Sequence, residues 1–170
     1  MKSYNNKDYG KPYSLKPTVI DPSMILLQDT REQRPLFTRI PKGLTIQSAT
    51  LHDGDYSIKG FENRFAIERK FIGDLFPYCS SEREKTVAKM QRFRVMIENG
   101  GWVGLVIEEK ESTVYQHQNF THVSPETVRG ALISFAVRYR VQIYFAGNRE
   151  NAARWILDHA ARFYKVVHEV

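Results

Sequence analysis

Cysteine is almost missing: Cys79 is the only one in 170 residues. No disulfide can therefore form within the chain, and no zinc site can be assembled from the cysteines of one copy. Long apolar runs are missing too. No stretch approaches the roughly 20 residues that cross a bilayer, and the opening MKSYNNKDYGKPYSLKP lacks the apolar core of a secretory signal. Neither secretion nor a membrane partner is expected. These absences point to an intracellular setting, cytoplasmic in a microbe or virus and nuclear in a eukaryote. No internal repeat or low-complexity tract occurs, and nothing calls for an organic cofactor.

What is present is the composition of a packed domain. Hydrophobic residues make up 42% and charged residues 26%, ordinary globular values in a chain long enough for one continuous core. Lys and Arg number 25 against 19 Asp and Glu, a net charge of +6, which suits a polyanion such as nucleic acid. Residues 1–22 are polar, with Pro12, Pro17 and Pro22 and no apolar period. They read as a flexible leader, and residues 23–170 as the folded domain.

Beyond the leader, strand-length and helix-length patterns interleave. Met24 to Gln28, Leu44 to Leu51, Arg64 to Glu68, Trp102 to Ile107 and Val141 to Phe145 have the length and apolar content of strands. The fourth is almost wholly apolar, as expected of a central strand covered on both faces. Helical spacing places Val87, Met90, Phe93 and Ile97 on one face of Ser81 to Asn99. A second helix, capped by Ser124 and Pro125, lines up Val128, Leu132, Phe135 and Tyr139. A third, from Asn148 to Tyr164, lines up Ala152, Ile156, Ala160 and Phe163. The order implies an α/β layer fold with a mixed sheet.

The chemistry concentrates between Asp29 and Asp74. Asp29-Thr30-Arg31-Glu32 follows a strand, then come Gly54-Asp55, Glu68-Arg69-Lys70 at another strand's end, and Asp74. Glu-Arg-Lys with Asp four residues beyond arises by chance in roughly two of a thousand chains of this length, so the grouping calls for a functional account. Acidic residues at strand ends converge on one rim of a sheet. Asp55 and Glu68 are there the candidate oxygen ligands for Mg²⁺ or Mn²⁺, the ions that suit phosphodiester hydrolysis. Lys70, two residues past Glu68 on an extended strand, shares its face and can reach the attacking water or the scissile phosphate. Arg69 points the other way, where it can pair with Glu32 or Asp74.

On these residues the sequence resembles the XPF-type nuclease domain family, the XPF and Hef-like nucleases, over about residues 24 to 165. The resemblance implies a restriction-endonuclease-like three-layer fold, a central mixed sheet flanked by helices. It further implies Mg²⁺ or Mn²⁺ dependence and the cutting of branched DNA such as flaps, forks or junctions. It makes Asp55, Glu68 and Asp29 metal ligands, with Glu32, Arg69, Lys70 and Asp74 the rest of the site. It also implies a homodimer, paired through the helices at 124–140 and 148–165. Many members carry a helix-hairpin-helix module or a helicase as well, and these 170 residues hold neither.

Arg31, Arg83, Lys85, Lys89 and Arg92 are the expected DNA contacts, the last four on one helix. Glu111 to Val123, with Tyr115, His117, Phe120 and His122, reads as a mobile loop near the DNA. The leading reading is an endonuclease leaving 5′-phosphate and 3′-hydroxyl ends. Its rivals are a Holliday-junction resolvase-like nuclease and a non-catalytic DNA-binding or scaffolding subunit.

Overall fold

The computed structural model describes residues 17–169, so residues 1–16, most of the expected leader, lie outside the described residues, as does Val170. Six strands form one sheet: β1 (Ile25–Asp29), β2 (Thr45–Ala49), β3 (Tyr56–Ile58), β4 (Phe65–Lys70), β5 (Trp102–Ile107) and β6 (Gln142–Phe145), in the order β2-β1-β3-β4-β5-β6. β1 is parallel to β2, β4 to β5 and β5 to β6, whereas β3 is antiparallel to both its neighbours. Every strand but β3 therefore runs in the same direction. The helices are α1 (Ile72–Cys79), α2 (Arg83–Glu98), α3 (Glu111–Val114), α4 (Pro125–Tyr139) and α5 (Arg149–His168).

Alternation along β4 shows how the sheet divides two cores. Ala66 packs with α1, α2 and α4, while Phe65 and Ile67 face α5. β5 does the same, with Val103, Leu105 and Ile107 on the first side and Val106 on the second. Each such large side chain, removed wholly from water, contributes about 1.5–3 kcal/mol. The result is the three-layer α/β architecture that the resemblance implies. Among the described residues no helix is long and apolar enough to cross a membrane.

Several details differ from the sequence reading. β5 is covered on both faces but lies next to the edge strand β6, not at the middle of the sheet. On α2 the buried stripe is Thr86, Met90, Phe93 and Met96, and Val87 and Ile97 are only half-buried. The short Thr86 meets the core where a valine was expected, because the stripe is turned by about one residue. Tyr139 and Phe163 lie likewise at the margins of their stripes. The expected loop opens with α3, and its Tyr115 and Phe120 rest edge-on against Phe145 and Phe76. The cap at Ser124 forms as read, and Asn148 caps α5 in the same way, each side chain accepting an N–H three residues on.

An aromatic stack ties α5 to the start of β5. Trp102 lies over Phe65 at 5.4 Å and beside Trp155 at 5.5 Å, and Trp155 stacks parallel to Tyr144 at 5.1 Å. His159 completes it, 4.7 Å from Trp102 and 4.2 Å from Trp155.

Candidate active site

Reversal of β3 brings its first residue to the rim where β1, β4 and β5 end. Asp29 ends β1, Asp55 immediately precedes β3, Glu68, Arg69 and Lys70 end β4, and Glu108 follows β5. Asp29, Glu32, Asp55, Glu68, Arg69, Lys70 and Asp74 all line one cleft of about 690 Å³, together with Arg31, Lys89 and Arg92. Arg83 and Lys85 are exposed on α2 outside it.

Gly54 seats Asp55. Its φ of +81° belongs to the left-handed region, and a Cβ there would lie 3.1 Å from the Ile67 carbonyl oxygen, so only glycine fits without strain. The chain then lies flat against β4: the Asp55 N–H donates to Ile67 at 2.8 Å, and the Arg69 N–H donates to Asp55 Oδ2 at 2.7 Å. Burial first, and then the charge of Glu68, push the Asp55 carboxyl up to about 7, against the pull of Lys70, the Arg69 N–H and Lys89.

Glu68 is only 1% exposed and is held by two ammonium groups. Lys70 Nζ donates to Oε1 at 2.6 Å, and Lys89 Nζ reaches Oε1 and Oε2 at 2.8 and 2.9 Å. Burial works against the charged carboxylate, but the two lysines outweigh it and hold Glu68 below the ordinary range. The Tyr78 ring lies near both, 4.6 Å from Lys70 Nζ and 5.9 Å from Lys89 Nζ, close enough for cation–π attraction. Lys70 is itself buried, which favours its neutral form, yet Glu68, Asp55 and Asp74 raise its pKa above the usual value. These carboxylates therefore favour its ammonium form.

Arg69 occupies the opposite face. Its Nη1 lies 2.8 Å from Glu32 and donates to the Arg34 carbonyl at 2.9 Å, while its Nε donates to Glu108. The expected choice between Glu32 and Asp74 resolves to Glu32, and Glu108 takes the second place. Asp74 is exposed on the first turn of α1 and acts on Lys70 through space instead.

Asp29 is 2% exposed with both oxygens engaged: Arg31 Nε at 2.7 Å and Nη2 at 3.0 Å, plus the N–H groups of Arg31 and Leu51 at 2.9 and 2.8 Å. The Arg31 guanidinium above all holds this carboxyl down at about 2, against its burial. Arg31 is 69% exposed despite that bond. Arg92 chelates Asp53 at 2.8–3.0 Å, and His52 Nδ1 meets the same carboxylate at 2.8 Å. Lys89 does not share an open stripe with Lys85, as helical spacing alone allows, but turns into the cleft.

Among the described residues no three His, Cys, Asp or Glu side chains converge to hold a metal ion unaided. Asp55 and Glu68 nevertheless fit Mg²⁺ or Mn²⁺. They are hard oxygen donors, the kind these ions take as one or two carboxylates, with water and phosphate oxygens completing the shell.

Sequence reasoning gave no role to Glu108, Tyr78 or Asp53. Glu108 stands one residue past β5, as Asp29 ends β1, and that strand-end position was the available signal. Tyr78 and Asp53 carried none, since their parts depend on how α1 and α2 dock.

A family model described as the ERCC4 domain matches residues 28–158. Among solved structures, XPF from Aeropyrum pernix superposes with a TM-score of 0.60 at 16% identity, over 82% of this chain and 61% of that one. XPF from Aeropyrum pernix in complex with DNA gives 0.58 at 16% identity, over 83% of this chain and 64% of that one. The chain thus spans less than two thirds of either structure's length, and at this identity the likeness is one of fold. No curated protein matches the chain.

Proposed function

Because the chain belongs to the ERCC4 domain family, we propose that it is a metal-dependent DNA endonuclease that cuts branched DNA, such as flaps, forks or junctions, leaving 5′-phosphate and 3′-hydroxyl ends. The observation that carries this reading is the meeting of Asp55, Glu68 and Lys70 in one cleft, which follows because β3 runs opposite to β4.

Mg²⁺ or Mn²⁺ held by Asp55 and Glu68 supplies Lewis acidity at the phosphate and lowers the pKa of water. Lys70, a buried ammonium 2.6 Å from Glu68, stabilises the negative charge that grows on the phosphorane oxygens. Arg69 works from the far face: by pinning Glu32 and Glu108 it locks the end of β4 and so fixes the spacing of Glu68 and Lys70. Asp29, with its oxygens engaged, steadies the rim and aims Arg31 at the cleft mouth. Arg31, Arg92, Arg83 and Lys85 give the phosphate contacts. Pairing of two copies through α4 and α5 belongs to the same reading, supported by the exposed apolar side chains of Ile133, Val137 and Val166.

The test is cleavage of labelled flaps, forks, four-way junctions, single strands and plain duplex, with and without Mg²⁺. Asp55→Asn and Glu68→Gln are expected to lose both turnover and metal binding in a Mn²⁺ titration. Lys70→Ala is expected to bind metal as well or better while slowing the reaction roughly a hundredfold or more. Absence of metal-dependent cleavage on every substrate would instead favour a non-catalytic DNA-binding subunit.

A further inference from the structure

We infer that Lys89 is a resident counter-ion of the reaction centre, holding both oxygens of Glu68 in the metal-free protein and giving them up when a divalent cation loads. The inference rests on the reading of Glu68 as a metal ligand and deepens it. An ionised carboxylate offers about four acceptor positions, and ammonium groups fill three of them here: one bond from Lys70 and two from Lys89. A buried carboxylate stripped of its partners is costly, and without a cation on Glu68 these lysines are the partners that offset that cost. A dication and two ammonium groups cannot share the same oxygens at contact distance without strong repulsion.

Lys89 is the group placed to leave. Its side chain is 28% exposed against 16% for Lys70, and it reaches Glu68 from α2, whereas Lys70 is fixed by the same strand. The Tyr78 ring is farther from Lys89, 5.9 Å against 4.6 Å, and Asp55 and Asp74 add to the field that retains Lys70. Lys89 also lines the cleft, so a released ammonium still faces the space that a phosphate enters. A phosphate that draws Lys89 away eases entry of the cation, and the reverse holds equally. DNA and metal therefore bind with positive coupling through one side chain.

The test is calorimetric titration of Mn²⁺ into the metal-free protein and its Lys89→Met, Lys89→Gln and Lys89→Arg variants, without DNA or turnover. The two neutral variants are expected to bind Mn²⁺ about tenfold tighter, and the arginine variant about as the parent does. By linkage, Mn²⁺ must also raise Tm more in the neutral variants. Lys89→Gln keeps a polar partner for Glu68 and serves if the methionine variant does not fold. Unchanged or weaker Mn²⁺ affinity in the neutral variants overturns the inference. Glu68→Gln separates the two levels: if it binds Mn²⁺ like the parent, the reading of Glu68 as a ligand fails and this inference with it. If it binds more weakly while Lys89→Gln is unchanged, only the role of Lys89 is lost.

Discussion

Asp55 carries opposed demands of folding and chemistry. Its folded pKa of about 7 exceeds the ordinary 3.8, so the folded protein binds the proton more tightly than the unfolded chain does. A carboxyl raised in this way contributes stability below about pH 4, and that contribution is lost as pH climbs toward 7. Asp29, held near 2, has the opposite sign: its contribution is present above about pH 4 and is lost as pH falls toward 2. In the metal-free protein Asp55→Asn is therefore expected to raise Tm by a few degrees at pH 8 and to change it little at pH 4. A thermal scan at the two pH values decides it, and a lower Tm at pH 8 would refute the argument. Asp55, Glu68 and Lys70 were legible in the sequence because glycine before aspartate and the two-residue spacing on a strand are local facts. The position of Lys89 was not, because helical spacing gives a face but not which groove that face meets. Nor was the second partner of Arg69, which lies just past the end of another strand.

The decisive element is also among the shortest. β3 has three residues, too few for an alternating pattern to stand out, yet its reversal puts Asp55 beside Glu68. Gly54 makes that turn possible, and Gly43 offers a control, with a φ of +85° and nothing within 4 Å of an added Cβ. Gly43→Ala isolates backbone strain, expected to cost about 1 kcal/mol. Gly54→Ala adds contact with Ile67 and Ala66 and is expected to cost roughly 2 kcal/mol or more, with Asp55 displaced. Denaturant midpoints of the two variants give the comparison, and equal losses would mean that the approach to β4 does not constrain Gly54. α1 escaped sequence reading for a different reason. Pro77 lies inside its eight residues and argues against a helix, but burial of Leu75, Phe76, Tyr78 and Cys79 outweighs that local preference.

For the molecule as a whole, the three-layer order was readable because apolar periods of strand and helix alternate along most of the chain; the strand order was not, since pairing is a long-range property. The net charge of +6 predicts DNA affinity that falls steeply with salt. In the metal-free protein, replacing Arg83 and Lys85 together is expected to reduce the slope of log affinity against log salt by about two. Replacing Lys89 should leave that slope almost unchanged, since its ammonium is engaged with Glu68. Affinity that stays constant from low to high salt would rule out a phosphate-led encounter. The aromatic stack has an optical consequence. Trp102 and Trp155, the only two tryptophans, stand 5.5 Å apart at the rim opposite the cleft, where α5 meets the start of β5. Their emission and coupled near-ultraviolet dichroism will follow the seating of α5 on the sheet, whereas the phenol chromophores Tyr56 and Tyr78 stand beside the residues of the cleft.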